Sequence, residues 1–288
     1  MAMDTKRPIR AVILDMDGVI YRGDSALPGA AELFPALQRA KVSVILMTNN
    51  STRTAVGYRQ KLGQMGIPVP DAMQILTSAA ATARWLHEQA PQGGGVYIVG
   101  AADLAKVVLD GPGFRLDAEV PDFVVVGLDT EVTYAKLRTA SLAILRGARF
   151  VATNVDASLP MEGGELWPGA GAIVAAIQTT VGHPPDVVLG KPEPTMYFQA
   201  LESLGLQRDE VLAVGDRVET DILGGKRAGL PTALVLTGIT RRDEVPNLSP
   251  ELRPDYVFNN LEELRAFVTA GQTRASVDTN ANDPPPQS

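Results

Sequence analysis

The chain has 288 residues, 45% of them apolar, with a formal net charge of −7, no cysteine and two histidines. That length holds one large domain or two modest ones, and the acidic balance argues against a general nucleic-acid binder, which carries a basic patch. The absence of cysteine excludes disulfides, thiolate nucleophiles and cysteine-ligated zinc, and His87 and His183 leave little material for a histidine zinc site or a Ser-His-Asp triad.

The apolar run Ala11–Leu14 is too short for a signal-sequence core and leads straight into Asp15. No segment approaches the ~20 apolar residues that span a bilayer, so the chain reads as soluble and cytoplasmic, with no membrane partner. In chain order, Arg10–Leu14 reads as a strand, Ala30–Arg39 as a helix with Leu33, Phe34 and Leu37 on one face, and Val42–Met47 as a second strand ending at Thr48-Asn49-Asn50-Ser51. A helix follows over about Thr54 to Met65. This βαβα alternation implies a parallel sheet flanked by helices.

A second α/β pattern runs from about Ser78 to Pro185. Its strand-like runs are Val96–Val99, Phe123–Val126 and Arg149–Ala152, and its helical stretches are Ser78–Gln89, Thr133–Leu145 and Ala170–Val181. His87 falls on the first of these helices and His183 in a Gly-Pro loop, so both read as structural or solvated. The first pattern then resumes. Val187–Leu189 reads as a short strand running into Gly190-Lys191-Pro192, and Val211–Val214 as a buried strand ending in Gly215-Asp216. Thr232–Leu236, Asp255–Phe258 and a closing helix Leu261–Val268 complete it. The expected organisation is a discontinuous parallel-sheet core, 9–77 and 186–270, carrying an inserted α/β domain, 78–185. The tail 271–288, rich in Asn, Pro and Ser, is expected to be disordered.

Four short segments each follow an expected core strand: Asp15-Met16-Asp17, Thr48-Asn49-Asn50, Gly190-Lys191-Pro192 and Gly215-Asp216-Arg217-Val218-Glu219-Thr220-Asp221. In one parallel sheet those strand ends share an edge, where open α/β sheets bind ligands. Asp15 and Asp17 suggest a nucleophile with an acid/base, a hard-metal site, or both. Two carboxylates ~4 Å apart repel by ~4 kcal/mol at an effective dielectric of 20, so the cluster with Asp216 and Asp221 calls for a cation. Oxygen ligands without Cys or His favour Mg²⁺. Lys191, the Thr48 hydroxyl and the amides around Asn49 and Asn50 suit the oxygens of a phosphoryl group. An ionised Asp15 would attack phosphorus without a base, and Asp17 would protonate the leaving group and then deprotonate water. Gly190-Lys191 is no Walker A loop, because Pro192 follows and the upstream glycine is missing.

With Asp15-x-Asp17, Thr48, Lys191 and Gly215-Asp216-x-x-x-x-Asp221 in order, the chain resembles the haloacid dehalogenase superfamily in its phosphatase majority. Asp15-Met16-Asp17-Gly18-Val19-Ile20-Tyr21-Arg22-Gly23, Thr48-Asn49-Asn50-Ser51, Ala152-Thr153-Asn154 and Gly190-Lys191-Pro192 resemble the branch of para-nitrophenyl, phosphoglycolate, glycerol phosphate, pyridoxal phosphate and nucleotide phosphatases. The resemblance covers about residues 9–268. It implies a Rossmann-like core with a large α/β cap, the insertion lying between Thr48 and Lys191; the gap from Asp17 to Thr48 is too short for the alternative helical cap.

The resemblance further implies Asp15 as nucleophile and Mg²⁺ ligand, and Asp17 as acid/base lending its backbone carbonyl to the metal. Asp216 would complete the ligands, and Asp221 would support the metal shell or Lys191. Thr48, Asn49, Asn50 and Lys191 would bind the phosphoryl group, and the cap loop holding Asn154 and Asp156 would contact the leaving group. Leu159 stands where the animal pyridoxal phosphate enzymes carry a histidine, a departure that points away from that substrate. The superfamily's dehalogenases lack an acid at the position of Asp17 and use no Mg²⁺, so Asp17 favours phosphate ester hydrolysis. The expected partner is a small phosphorylated metabolite, with a homodimer through the cap as the association that relatives show. The rival readings are a phosphoryl transferase or mutase, and a non-catalytic binder of phosphate ligands.

Overall fold

In the computed structural model, which describes residues 8–70, 73–160 and 165–280, the apolar runs assemble into two α/β sheets. The first has six strands, in the order Tyr256–Phe258, Thr232–Val235, Val211–Gly215, Ala11–Asp15, Ser43–Thr48, Gln74–Thr77. Ala11–Asp15 and Val211–Gly215 pair in parallel with Leu14 opposite Val214. The chain moves from Ala11–Asp15 toward one edge of the sheet and later returns to build the other. The order therefore reverses between these two strands, the kind of switch point at which open α/β sheets form a crevice beyond their carboxyl ends. Asp15 and Asp216 both belong to that reversal.

The second sheet has five strands, in the order Val187–Val188, Arg149–Ala152, Phe123–Val126, Gly94–Val99, Phe114–Leu116, all paired in parallel. Residue alternation along Phe123–Val126 sends successive side chains to opposite faces. Val124 and Val126 pack with Ile144, Ile173 and Ile177 on one face, and Phe123 and Val125 with Leu86, Leu104 and Val108 on the other. A sheet covered on both faces needs continuous apolar strands, and Phe123–Val126 is fully buried. Thr77 caps the helix Ser78–Gln89 by accepting from Ala80 N at 3.1 Å, and Thr133 caps Tyr134–Leu145 by accepting from Lys136 N at 3.2 Å.

The chain forms two compact units. One comprises the described residues of Met1–Leu46, Leu62–Gln74 and Ala200–Ser288, the other those of Met47–Lys61 and Ile75–Gln199. The division runs through Ser43–Thr48 and Gln74–Thr77.

Three features differ from the sequence-based expectation. Val187–Val188 does not return to the first sheet; it adds to the edge of the second, Val188 opposite Ala152, while Asp186 accepts from Phe150 N at 2.7 Å. The closing helix runs Leu261–Asn280, so the backbone of 271–280 is helical where no regular structure was expected; 281–288 lie outside the described residues. Short elements also appear that the periodicity did not separate from loops: the hairpin of Tyr21–Arg22 with Ser25–Ala26, the strand Phe114–Leu116, the hairpin of Ser158–Pro160 with Leu166–Pro168, and the helices Ala102–Leu109 and Thr195–Leu204. Among the described residues no helix is long and apolar enough to cross a membrane.

Candidate active site

In the first unit, Asp15 ends its strand and the chain turns at once. Gly18 takes φ 82°, its N–H donates to Tyr21 O at 2.8 Å, and Ile20 N donates to Met16 O at 2.8 Å. A positive φ of this kind suits glycine. Asp17 lies exposed on this turn, and Asp15 is half-buried. Across the switch point, Asp216 and Asp221 are both buried. Asp15, Asp216 and Asp221 each present one carboxylate oxygen within 4.8 Å of the others.

The backbone built around this cluster explains its glycines. A Cβ on Gly18 would sit 2.5 Å from Asp216 Oδ2, and one on Gly238 or Gly215 would collide with the carboxylates of Asp216 and Asp221 respectively. Asp216 Oδ2 accepts from Ile239 N at 2.7 Å, and Asp216 O accepts from Thr240 N at 3.0 Å. Thr240 Oγ1 accepts from Val218 N at 3.2 Å, and Thr237 Oγ1 donates to Gly18 O at 2.6 Å. Asp221 Oδ2 accepts from Arg217 N at 3.1 Å on a wide turn of π geometry, Val218–Ile222. Such turns gather at functional sites.

The segment Thr237-Gly238-Ile239-Thr240 is not among the residues singled out from the sequence. Its signal was available: it directly follows the strand Thr232–Val235, which lies in the same parallel sheet as the strands of Asp15 and Asp216, so it reaches the edge those two residues share, and it pairs a glycine with hydroxyl residues.

Three carboxylate oxygens so close together repel one another, and a cation between them offsets that repulsion. The donor set is all oxygen, held by backbone bonds, with glycines leaving room around it. Hard divalent cations prefer that chemistry, and Mg²⁺ fits it.

The second unit holds the remaining candidates. Thr48 is buried, and its hydroxyl accepts from Asn50 N at 3.1 Å. Asn50 Oδ1 accepts from Thr52 N and Oγ1 at 2.8 and 2.7 Å, closing the turn after the strand. Lys191 and Asn49 are buried and joined twice: Lys191 N donates to Asn49 Oδ1 and Asn49 Nδ2 donates to Lys191 O, both at 2.8 Å. Asn49 Nδ2 also donates to Asp156 Oδ1 and Oδ2 at 3.0 and 3.2 Å. Asn154 Nδ2 donates to Asn49 O at 2.8 Å, and its Oδ1 accepts from Asp156 N at 3.1 Å. Gly190 permits the approach: a Cβ there would lie 2.7 Å from Thr153 O and 2.8 Å from Asn49 Oδ1.

The candidates thus fall into two sets, Asp15, Asp17, Asp216 and Asp221 in one unit and Thr48, Asn49, Asn50, Asn154, Asp156 and Lys191 in the other. His87 stands apart from both, its Nδ1 3.0 Å from Ala83 O and its ring 5.0 Å from that of Phe114; His183 Nδ1 lies 2.8 Å from Pro184 O.

Comparison with known proteins adds to this geometry. Residues 12–114 match the family described as haloacid dehalogenase-like hydrolase, and residues 188–264 a second described as HAD-hydrolase-like. The chain is 41% identical over 256 residues to an acid sugar phosphatase of Staphylococcus saprophyticus, covering 88% of this chain and 96% of that protein. Its fold is similar to the crystal structure of 4-nitrophenylphosphatase from Thermotoga maritima, with a TM-score of 0.85 and 37% identity over 90% of this chain and 97% of that one. It is also similar to a glycerol phosphate phosphatase from Mycobacterium tuberculosis, solved in complex with magnesium: TM-score 0.81, 35% identity, 89% and 76% coverage.

Proposed function

The chain belongs to the haloacid dehalogenase-like hydrolase family and is a phosphoric monoester hydrolase, and on that footing we propose a Mg²⁺-dependent reaction on small phosphomonoesters through an aspartyl-phosphate on Asp15. The observation that carries the proposal is the meeting of Asp15, Asp216 and Asp221 oxygens within 4.8 Å at the sheet's switch point. The relative solved with magnesium supports the choice of ion.

Asp15, Asp216 and, through its main-chain carbonyl, Asp17 are the residues assigned to hold the metal, with Asp221 supporting them. When bound, the ion offsets the negative charge that a carboxylate meets at a phosphoryl group. The chain's own groups do the rest. An Asp15 oxygen forms a bond to phosphorus as the ester P–O bond breaks, and Asp17 gives its proton to the departing alkoxide. Water then attacks the phosphorus of the aspartyl-phosphate, Asp17 takes the water's proton, and the acyl O–P bond breaks so that the Asp15 carboxylate is regenerated and inorganic phosphate is released. Asp17 is placed for both proton transfers, accessible on a turn two residues after the nucleophile. Thr48, Lys191 and the Asn49 main-chain N–H are assigned to the transferring oxygens, the Asn50 N–H being donated to Thr48 Oγ1.

For substrate we favour sugar and polyol phosphates, on the strength of the acid sugar phosphatase and glycerol phosphate phosphatase relatives, with para-nitrophenyl phosphate as a convenient reporter. Phosphoglycolate and nucleotide monophosphates belong in the same panel. We assign substrate selection to the inserted segment, 78–185, and note that the strand Val187–Val188 extends its sheet past that boundary. The deciding experiment is turnover of this panel with Mg²⁺ and with EDTA, measuring inorganic phosphate. Equimolar phosphate and alcohol, abolished by EDTA, is the expected result. Accumulation of a second phosphate ester would instead favour transfer, and turnover unaffected by EDTA would remove the metal from the scheme.

A further inference from the structure

Asn49 is assigned above to the phosphoryl group by its neighbourhood in the sequence, yet its side chain is already committed. Oδ1 accepts the Lys191 N–H, one Nδ2 proton goes to Lys191 O, and the other faces the Asp156 carboxylate. A primary amide has two N–H bonds, so none is left for a phosphoryl oxygen. The Asn49 carbonyl is held as well, by Ser78 Oγ at 2.5 Å and Asn154 Nδ2 at 2.8 Å. Buried amide pairs of this kind are costly to break, because each lost partner leaves an unsatisfied polar group away from water.

The two-point pairing has a mechanical consequence. It grips both the N–H and the C=O of Lys191, fixing the main chain from which the buried ammonium stem departs. Gly190, with no room for a Cβ beside Asn49 Oδ1, lets that grip close. The third bond ties the grip to Asp156. The Asp156 backbone is held in turn, Asp156 O accepting from Gly171 N at 2.9 Å, at the start of the helix Ala170–Val181.

We propose that Asn49 is a positioning residue. It aligns Lys191 and couples that lysine to Asp156 and the loop following the strand Arg149–Ala152, and its side chain does not itself bind the phosphoryl group. The inference rests on the reading of Lys191 as the phosphoryl-binding cation.

The test uses the full chain with Mg²⁺ and para-nitrophenyl phosphate, together with hydrogen–deuterium exchange of the peptide containing Lys191. Asn49→Ala is expected to speed exchange at the Lys191 N–H at least about tenfold while the helix Ala170–Val181 exchanges as before. It is also expected to lower kcat about 10–100-fold, the scale of a misplaced reacting group, with KM changed far less. In a Lys191→Ala background the same substitution should lower kcat by less than about twofold, because no ammonium remains to be misplaced. A merely structural role would not produce that cancellation. Asp156→Ala removes one arm of the hub; it should give a smaller fall in kcat that is likewise absent without Lys191, and it carries the comparison if Asn49→Ala does not fold. Losses that multiply in the double variant, or unchanged exchange at Lys191, would overturn the inference. A wild-type chain without turnover would end the phosphatase reading, and the exchange measurement would still decide whether Asn49 grips Lys191.

Discussion

Gly238 is packed against the Asp216 carboxylate so closely that no side chain fits between them. The neighbouring Ile239 N–H donates to Asp216 Oδ2 at 2.7 Å, so the same peptide segment both crowds and orients this carboxylate. Gly18 approaches the same carboxylate from the strand of Asp15. Asp216 is therefore aimed by two backbone segments distant in sequence.

Gly238→Ala should displace Asp216 without introducing charge. The expected outcome is a rise of tenfold or more in the Mg²⁺ concentration for half-maximal turnover, with a modest loss of stability. A Mg²⁺ titration of activity beside a melting curve checks it; an unchanged Mg²⁺ requirement would count against the packing argument.

Asp15→Asn keeps the shape of the side chain and removes the attacking carboxylate. Turnover should fall below detection while circular dichroism and Tm stay near wild type. Retained hydrolysis of para-nitrophenyl phosphate would refute the nucleophile assignment.

Divalent binding should be visible in stability as well as in activity. A ligand at one hundred times its Kd stabilises the folded state by about 2.7 kcal/mol. Adding Mg²⁺ after EDTA treatment should therefore raise Tm by several degrees. In Asp221→Asn, which removes one charge from the crowded cluster, metal-free Tm should rise and the Mg²⁺-induced increment should shrink. A Tm indifferent to Mg²⁺ in the wild type would contradict the site.

A fourth expectation concerns Asp117, at a turn in the second unit. Its carboxylate accepts from Val120 N at 2.9 Å and Glu119 N at 3.0 Å, and these bonds, followed by nearby Arg115, hold its pKa below the ordinary value. A depressed folded pKa gives stabilisation that is complete above the unfolded pKa and fades as pH falls through the folded one. An NMR titration should give Asp117 a lower midpoint than the same residue in an unstructured peptide; an equal midpoint would show that the turn bonds do not persist in solution.

Much of the fold was legible in the chain. Ala30–Arg39, Ser78–Gln89, Phe123–Val126, Arg149–Ala152 and Ala170–Val181 stand where their periodicity put them, because burying one stripe or both faces writes itself into local sequence. The acidic cluster of the candidate site was legible for a related reason. Asp15 and Asp216 each end an apolar strand, and strand ends in a parallel sheet share an edge.

What the sequence alone determined, then, was the inventory: the motif residues, their order, and the strands and helices that carry them. Tertiary structure alone decided the pairings. Val187–Val188 is too short to show a period, so only its pairing opposite Val151 and Ala152 assigns its sheet. The grip of Asn49 on Lys191 spans 142 positions, and the support of Asp216 by Ile239 spans 23. Such bonds depend on where two backbones meet, and no local rule of side-chain spacing records that meeting.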